Sequence, residues 1–310
     1  MKLRGIDFGN VLGASGVQGF FGEGYWFHHL WHPFGLDLDR VTFVSKTATL
    51  LPNKGNMILT KNFKPKEIFP KSIVAKLRKG SVLNAISLSN PGLGALLKTG
   101  RWQNRINPFM ISIGSVAEKP RQRLEEIKIM LEAVKVCMSD FSAPFGLQIN
   151  FSCPITSHDP DESSKILNMA GTLGIPIIPK YSIASTSIEA IMELNQHESC
   201  DAICVSNSIQ FGWPGINWER NWGKVSPLAK FGGGGLSGKD LRPLVCEWIS
   251  RLRSAGFTKP INGGGGILNT ADVKLYNDAG ASSIFIGSVA ILRPWRVGSI
   301  IDQANTLKWN

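Results

Sequence analysis

The sequence has no run of about 18 apolar residues, so it offers no membrane-spanning helix. It has five cysteines, Cys137, Cys153, Cys200, Cys204 and Cys246, an odd set without a CxxC pair. That argues against a zinc ribbon, an iron–sulfur ligand set or a disulfide framework, and fits a reducing cytoplasm. A GxGxxG string is missing near the N-terminus, which disfavours a Rossmann nucleotide site. Residues 1–24 lack the charged start, apolar stretch and cleavage site of a secretory signal. Lys and Arg number 34 against 23 Asp and Glu, a net +11, yet no five or six basic residues stand together. The charge therefore reads as dispersed. It would suit nucleic acid, an anionic membrane surface or an acidic small ligand; of these, neither nucleic acid nor a membrane is expected here. Glycine is abundant, at 33 residues, without the three-residue period of collagen. Hydrophobic residues at 43% supply a large core and exclude global disorder.

Short apolar runs alternate with helical patterns. Positions 40–46 (RVTFVSK), 109–114 (FMISIG), 146–150 (GLQIN), 175–179 (IPIIP), 202–205 (AICV), 259–262 and 283–286 (SIFI) read as buried strands by length and β-branched content. Leu124, Ile127, Leu131 and Val134 recur at helical spacing between them, and 187–195 and 240–255 behave similarly. Strand–helix alternation predicts a parallel sheet covered by helices. The number of units over this length predicts a (β/α)8 TIM barrel, one domain spanning 1–310, with its chemistry at the C-terminal ends of the strands. Polar and Gly-rich clusters fall there: Ser45-Lys46-Thr47, Asn150 to Pro154, Lys180, Ser206-Asn207-Ser208, Gly263 to Gly266, and Gly287-Ser288.

The INGGGGI string at 261–267, followed by IFIGS at 284–288, occupies the last two strand exits. Glycine lets backbone N–H groups approach an anion, and barrels often build a phosphate site from these two loops. Cys153 lies just past a strand in the loop Asn150-Phe151-Ser152-Cys153-Pro154. It could be nucleophile, metal ligand, acid/base or a buried structural thiol. Nucleophilic use calls for a nearby base, and His158 is the only close histidine. A metal lacks partner ligands at suitable spacing. A thiol that shuttles a proton needs only a suitable pKa and a dry setting.

Further motifs accompany these: Lys46-Thr47 with Gly55-Asn56, NAISLSNPG at 84–92, GGLSG at 234–238 and Gly265-Gly266-Ile267. In this order, from Ala14-Ser15-Gly16 to Gly287, they resemble the dihydroorotate dehydrogenase family. The NAIxLxNPG and GGLSG strings look most like class I, closest to enzymes that pair with an electron-transfer subunit. The resemblance implies an FMN-containing barrel that oxidises dihydroorotate to orotate in pyrimidine biosynthesis. It takes the C5 proton with Cys153 and passes a hydride from C6 to flavin N5. Asn56, Asn84, Ile86, Asn150, Asn207 and Ser208 match substrate positions; amides offer donor and acceptor to a ring of alternating N–H and C=O groups. Ala14, Ser15, Lys46, Asn150, Lys180, Val205, Gly235, Gly265, Gly266, Gly287 and Ser288 match flavin positions. A lysine beside the flavin N1–C2 edge suits the negative charge that reduction leaves there. The resemblance further implies a cytoplasmic homodimer and a partner carrying FAD and an iron–sulfur cluster.

The chain departs from the family at several positions. Ile155 stands where a substrate amide is usual, a loss that typically costs about 1–3 kcal/mol. Ser87 replaces a glycine, Gln148 an acidic residue, and the 210–230 loop is long and rich in tryptophan (Trp213, Trp218, Trp222). The Asn-x-x-Cys-Pro loop and the basic charge also keep open a tRNA-dihydrouridine-synthase-like or dihydropyrimidine-type flavin reductase, and Ile155 a flavin-binding interaction subunit with altered catalysis. The His28-His29-xx-His32 pattern lacks an acidic partner, so packing is expected rather than a metal.

Overall fold

The computed structural model describes residues 1–151 and 160–310. Seven strands form one parallel sheet in the order Val11–Gly13, Ser283–Ile286, Ile261–Gly264, Ile203–Val205, Ile177–Tyr181, Phe145–Asn150 and Phe109–Ile113. The two edge strands meet through an eighth stretch. Thr42 bridges Leu12, Val44 bridges Met110 and Ala48 bridges Ile113, each in parallel sense. The sheet closes into the (β/α)8 barrel expected from the sequence. Among the barrel strands, 40–46 differs in kind, since this stretch pairs by isolated bridges instead of a continuous ladder.

The barrel is a packed core. Leu12, Val44, Met110, Ile178, Cys204 and Phe285 meet inside it, and Met1, Leu3 and Phe8 join the same cluster. These last belong to an N-terminal hairpin, Lys2–Leu3 paired with Ile6–Asp7, tied to the start of a strand by Arg4 and Asp201 at 2.8 Å. The hairpin thus stoppers the N-terminal end. Alternate strand residues, such as Leu147, Ile149, Ile177 and Ile203, face the helices instead, as the period-two alternation of strands requires. Pro120–Val136 buries Ile127, Met130, Leu131 and Val134, and Arg242–Ser254 buries Val245, Trp248, Ile249 and Leu252.

The sequence reading missed a second sheet. Ile209–Gln210, Gly235–Gly238, Ser81–Asn84 and Ile73–Lys76 pair antiparallel in that order. Its strands are only two to four residues long, so neither length nor alternation marks them. The Trp-rich stretch packs beside it. Trp218 and Trp222 are buried, Trp218 donates to the Trp213 carbonyl at 2.8 Å, and the Lys76 ammonium sits 4.6 Å from the Trp222 ring centroid. Among the described residues no helix is long and apolar enough to cross a membrane.

Phe8 is fully buried in the barrel stopper. Phe8→Ala removes this ring and leaves a void, so it should destabilise the protein by about 3–5 kcal/mol in urea unfolding; a change under about 1 kcal/mol would show that the stopper carries little of the core.

Candidate active site

The C-terminal ends of the barrel strands open into a cavity of about 1980 Å³, larger than the roughly 300–1,000 Å³ of an ordinary small-molecule pocket. Its wall gathers most of the residues singled out above: Ala14, Ser15, Lys46, Asn84, Ile86, Asn150, Lys180, Asn207, Ser208, Gly235, Gly265, Gly266, Gly287 and Ser288. Positions far apart in the chain meet because each follows or ends a barrel strand, or lies on the antiparallel sheet at the mouth. Two do not reach the wall. Val205 is fully buried in its strand, directly before Ser206 and Asn207. Asn56 stands behind the wall. Cys153, with Ile155 and His158, lies outside the described residues.

Asn56 is bonded to the chain that forms the wall. Its Nδ2 donates to the Ala85 carbonyl at 2.7 Å and to Ser87 Oγ at 3.2 Å, and its N–H donates to the Ile86 carbonyl at 3.0 Å. Asn53 Nδ2 donates to the Ser87 carbonyl at 2.7 Å. Together they hold a turn in which Ser87 and Leu88 have φ of 55° and 52°, a left-handed geometry costly for residues other than glycine. The turn displays Ile86, Ser87 and Leu88 to the cavity.

The polar groups converge by type. Asn207 Nδ2 donates to Asn150 Oδ1 at 3.2 Å, while Asn207 Oδ1 accepts the Ser208 N–H at 2.9 Å. Asn84 Nδ2 reaches the Gly235 carbonyl at 3.4 Å. Opposite, Ser15 Oγ contacts Thr47 Oγ1 at 2.8 Å, and Thr47 Oγ1 contacts Ser112 Oγ at 2.9 Å. This hydroxyl chain was not foreseen, because Ser112 reads in the sequence as part of an apolar strand. Tyr25 was also missed; its hydroxyl donates to the Gly16 carbonyl at 2.8 Å beside the cavity. Gln148 is buried, and its amide oxygen has no hydrogen-bond partner among the described residues.

The floor is electropositive. Lys46 and Lys180 are both buried, and the described part of the wall carries Glu67 as its only carboxylate. Burial pushes the Lys46 ammonium down to about 7. Lys180 is lowered by the same desolvation, partly opposed by the neighbouring Cys204. Burying the Lys46 ammonium is costly, and an anionic ligand relieves that cost.

Glycine is required where this floor meets the second sheet. Gly266 has φ of 74° and Gly238 has φ of 110°. A Cβ on Gly266 would collide with the Gly238 carbonyl, and one on Gly238 with the Gly80 carbonyl. Three backbones are stacked in contact here, leaving Gly265 and Gly266 as a turn of main chain on the cavity wall. His28 is buried and neutral. Its Nδ1 accepts the Tyr25 N–H at 3.2 Å, and desolvation, with His29 adding to it, pushes its pKa down to about 4. Among the described residues no group of His, Cys, Asp and Glu is arranged to hold a metal ion.

The lysine shift has a measurable consequence. Between about pH 7 and pH 10.5 the unfolded chain binds a proton at Lys46 that the ligand-free folded chain does not, so stability rises with pH across that window. Lys180 contributes with the same sign. Urea unfolding of ligand-free protein should show a positive slope between pH 7 and 9. Lys46→Met should reduce it by up to about 1.4 kcal/mol per pH unit; an unchanged slope would place the lysine in a wetter setting.

Three comparisons bear on this site. The family model described as dihydroorotate dehydrogenase matches residues 1–307. The catalytic subunit of dihydroorotate dehydrogenase B (NAD(+)) from Endomicrobium trichonymphae is 28% identical over 312 residues, 97% of this chain and 89% of that protein. The subunits of the same name from Geobacillus kaustophilus and Halalkalibacterium halodurans are 28% and 25% identical, covering 99% and 98% of this chain and 90% of each relative. In fold, the chain resembles the crystal structure of DHODH from Eimeria tenella in complex with ferulenol. That likeness has a TM-score of 0.69 at 19% identity, over 97% of this chain and 82% of that one. With a family model spanning all but its last three residues, and a barrel whose mouth assembles that family's motifs, the chain belongs to the dihydroorotate dehydrogenase family.

Proposed function

We propose that the chain is an FMN-dependent catalytic subunit that oxidises (S)-dihydroorotate to orotate in pyrimidine biosynthesis. In this reading residues 1–310 form one FMN-binding barrel domain. It works in the cytoplasm as a homodimer, with an electron-transfer subunit carrying FAD and an iron–sulfur cluster. The relatives above are named as catalytic subunits of an NAD(+)-linked enzyme, which supports a partner of that kind. The observation that carries the reading is the meeting of two buried lysines, a glycine turn and paired amides in one cavity.

The residues present fit FMN. The Gly265-Gly266 turn, with Gly287 and Ser288, offers main chain without side-chain bulk, as a phosphate cradle requires. Ala14, Ser15 and Gly235 would border the ring, and Lys46 and Lys180 would stabilise negative charge on it. FMN bound there would supply a two-electron acceptor.

The protein's own work is then recognition and proton transfer. Asn84, Asn150, Asn207 and Ser208 present donors and acceptors to the pyrimidine, with Ile86 beside them. The Asn150–Asn207 contact at 3.2 Å orients both amides before a ligand arrives. We assign removal of the C5 proton to Cys153. Asn56 acts through the 85–88 turn, and Val205 through the strand that delivers Asn207.

Purified protein should show a yellow flavin spectrum, or acquire one with added FMN, and dihydroorotate should bleach it under anaerobic conditions. Absence of flavin binding would remove the reading; bound flavin that only another dihydropyrimidine bleaches would change the substrate. Cys153→Ser should retain FMN but slow bleaching by about 100-fold or more. Gly266→Val should weaken FMN binding itself, as measured by flavin fluorescence on dilution.

A further inference from the structure

The positive charge that seemed dispersed is concentrated. Between positions 54 and 79 there are seven lysines and one arginine against a single acid, Glu67, so this stretch carries +7 of the chain's +11. It leads into the Ile73–Lys76 strand and the turn after it, at the cavity mouth. Lys61, Lys64, Lys66, Lys71, Arg78 and Lys79 are exposed. Among the described residues none of the eight basic groups enters an ion pair.

The same rim exposes apolar side chains. Phe69 is 76% exposed, Ile68 64% and Leu77 59%, and on the Trp26–Trp31 helix Leu30 is 62% and Trp26 45% exposed. Trp26 Nε1 donates to the Ile68 carbonyl at 3.0 Å, and its ring lies 5.6 Å from that of Phe69. The Trp26–Trp31 helix and the 68–69 segment therefore form one patch, and Trp26, Ile68, Phe69 and Leu77 also line the outer cavity.

Three anionic partners would answer to this charge. Protein interfaces enrich aromatics, Met and Arg but deplete Lys, whereas lysine dominates here. Single-stranded nucleic acid is held on aromatic platforms in a basic groove, whereas Ile68, Leu77 and Leu30 have no face on which a base can stack. Lysines surrounding Trp, Phe and aliphatic side chains are the composition of a surface that settles into anionic headgroups. We infer that this rim docks the protein on an anionic lipid membrane. Trp26, Ile68, Phe69 and Leu77 enter the headgroup layer, and Lys61, Lys64, Lys66, Lys71 and Arg78 lie against lipid phosphates. The sequence-based expectation of no membrane rested on the lack of a spanning run, and a peripheral contact needs none.

The test uses the full chain and does not depend on flavin chemistry. The protein is sedimented with phosphatidylcholine vesicles, with and without about 30% phosphatidylglycerol. Binding should require the anionic lipid and weaken as salt rises. An Ile68→Ser, Phe69→Ser variant and, separately, a Lys61→Glu, Lys66→Glu, Lys71→Glu variant should each bind roughly ten-fold less, with unchanged melting temperatures. All five positions are exposed, so both variants should fold. The inference is overturned if the protein stays in the supernatant, sediments equally with both vesicle types, or binds alike in wild type and variants. Single-stranded RNA or an acidic protein that displaces it from the vesicles through these same residues would reassign the rim and overturn it too.

Discussion

Everything at the mouth depends on closing a parallel ladder that the chain completes with three bridges instead of a strand. The Thr42, Val44 and Ala48 contacts join the two edges of the seven-stranded sheet. Between them lie Ser45, Lys46 and Thr47, whose polar side chains are buried. A regular strand would turn alternate residues toward the helices. The interrupted pairing lets Ser45 accept the Ser112 N–H through its hydroxyl at 2.8 Å, while Thr47 reaches Ser15 and Ser112. The stretch that seals the barrel is also the one that carries a buried lysine to the cavity floor.

Charge and shape then divide the cavity. Its deep part is narrow in chemistry: two desolvated lysines, amides and bare main chain, a setting that discriminates by hydrogen bonding because an unmatched polar group there is costly. Its outer part is apolar and framed by exposed lysines. The antiparallel sheet contributes Asn84, Gly235, Ile73 and Ala75 to the cavity wall.

The barrel was legible because its strands are long enough to be apolar runs and its helices have a buried stripe at period 3.6. The mouth residues were legible because a barrel places strand exits together, so Lys46, Asn150, Lys180, Asn207 and Gly287 could be read as neighbours before any coordinates. The short sheet was not, since strands such as Ile209–Gln210 carry no periodicity. The resemblance marks Asn56 as an amide near the site, but the sequence does not tell that its Nδ2 is bonded to the turn behind the wall. The +11 was visible as a total, but its surface meaning required knowing that 54–79 borders the opening and which of its apolar groups the fold leaves uncovered.

The backbone stack of Gly80, Gly238 and Gly266 draws together parts of the chain that are distant in sequence: a turn of the second sheet, the end of one of its strands, and the loop after a barrel strand. Contact without side chains leaves no flexible cushion between them, so the three segments have to fit one another through main chain alone. The antiparallel sheet is thus less an appendage to the barrel than a part fitted to it: side chains cannot be added at these three glycines without parting the sheet from the Gly265-Gly266 turn of the cavity wall.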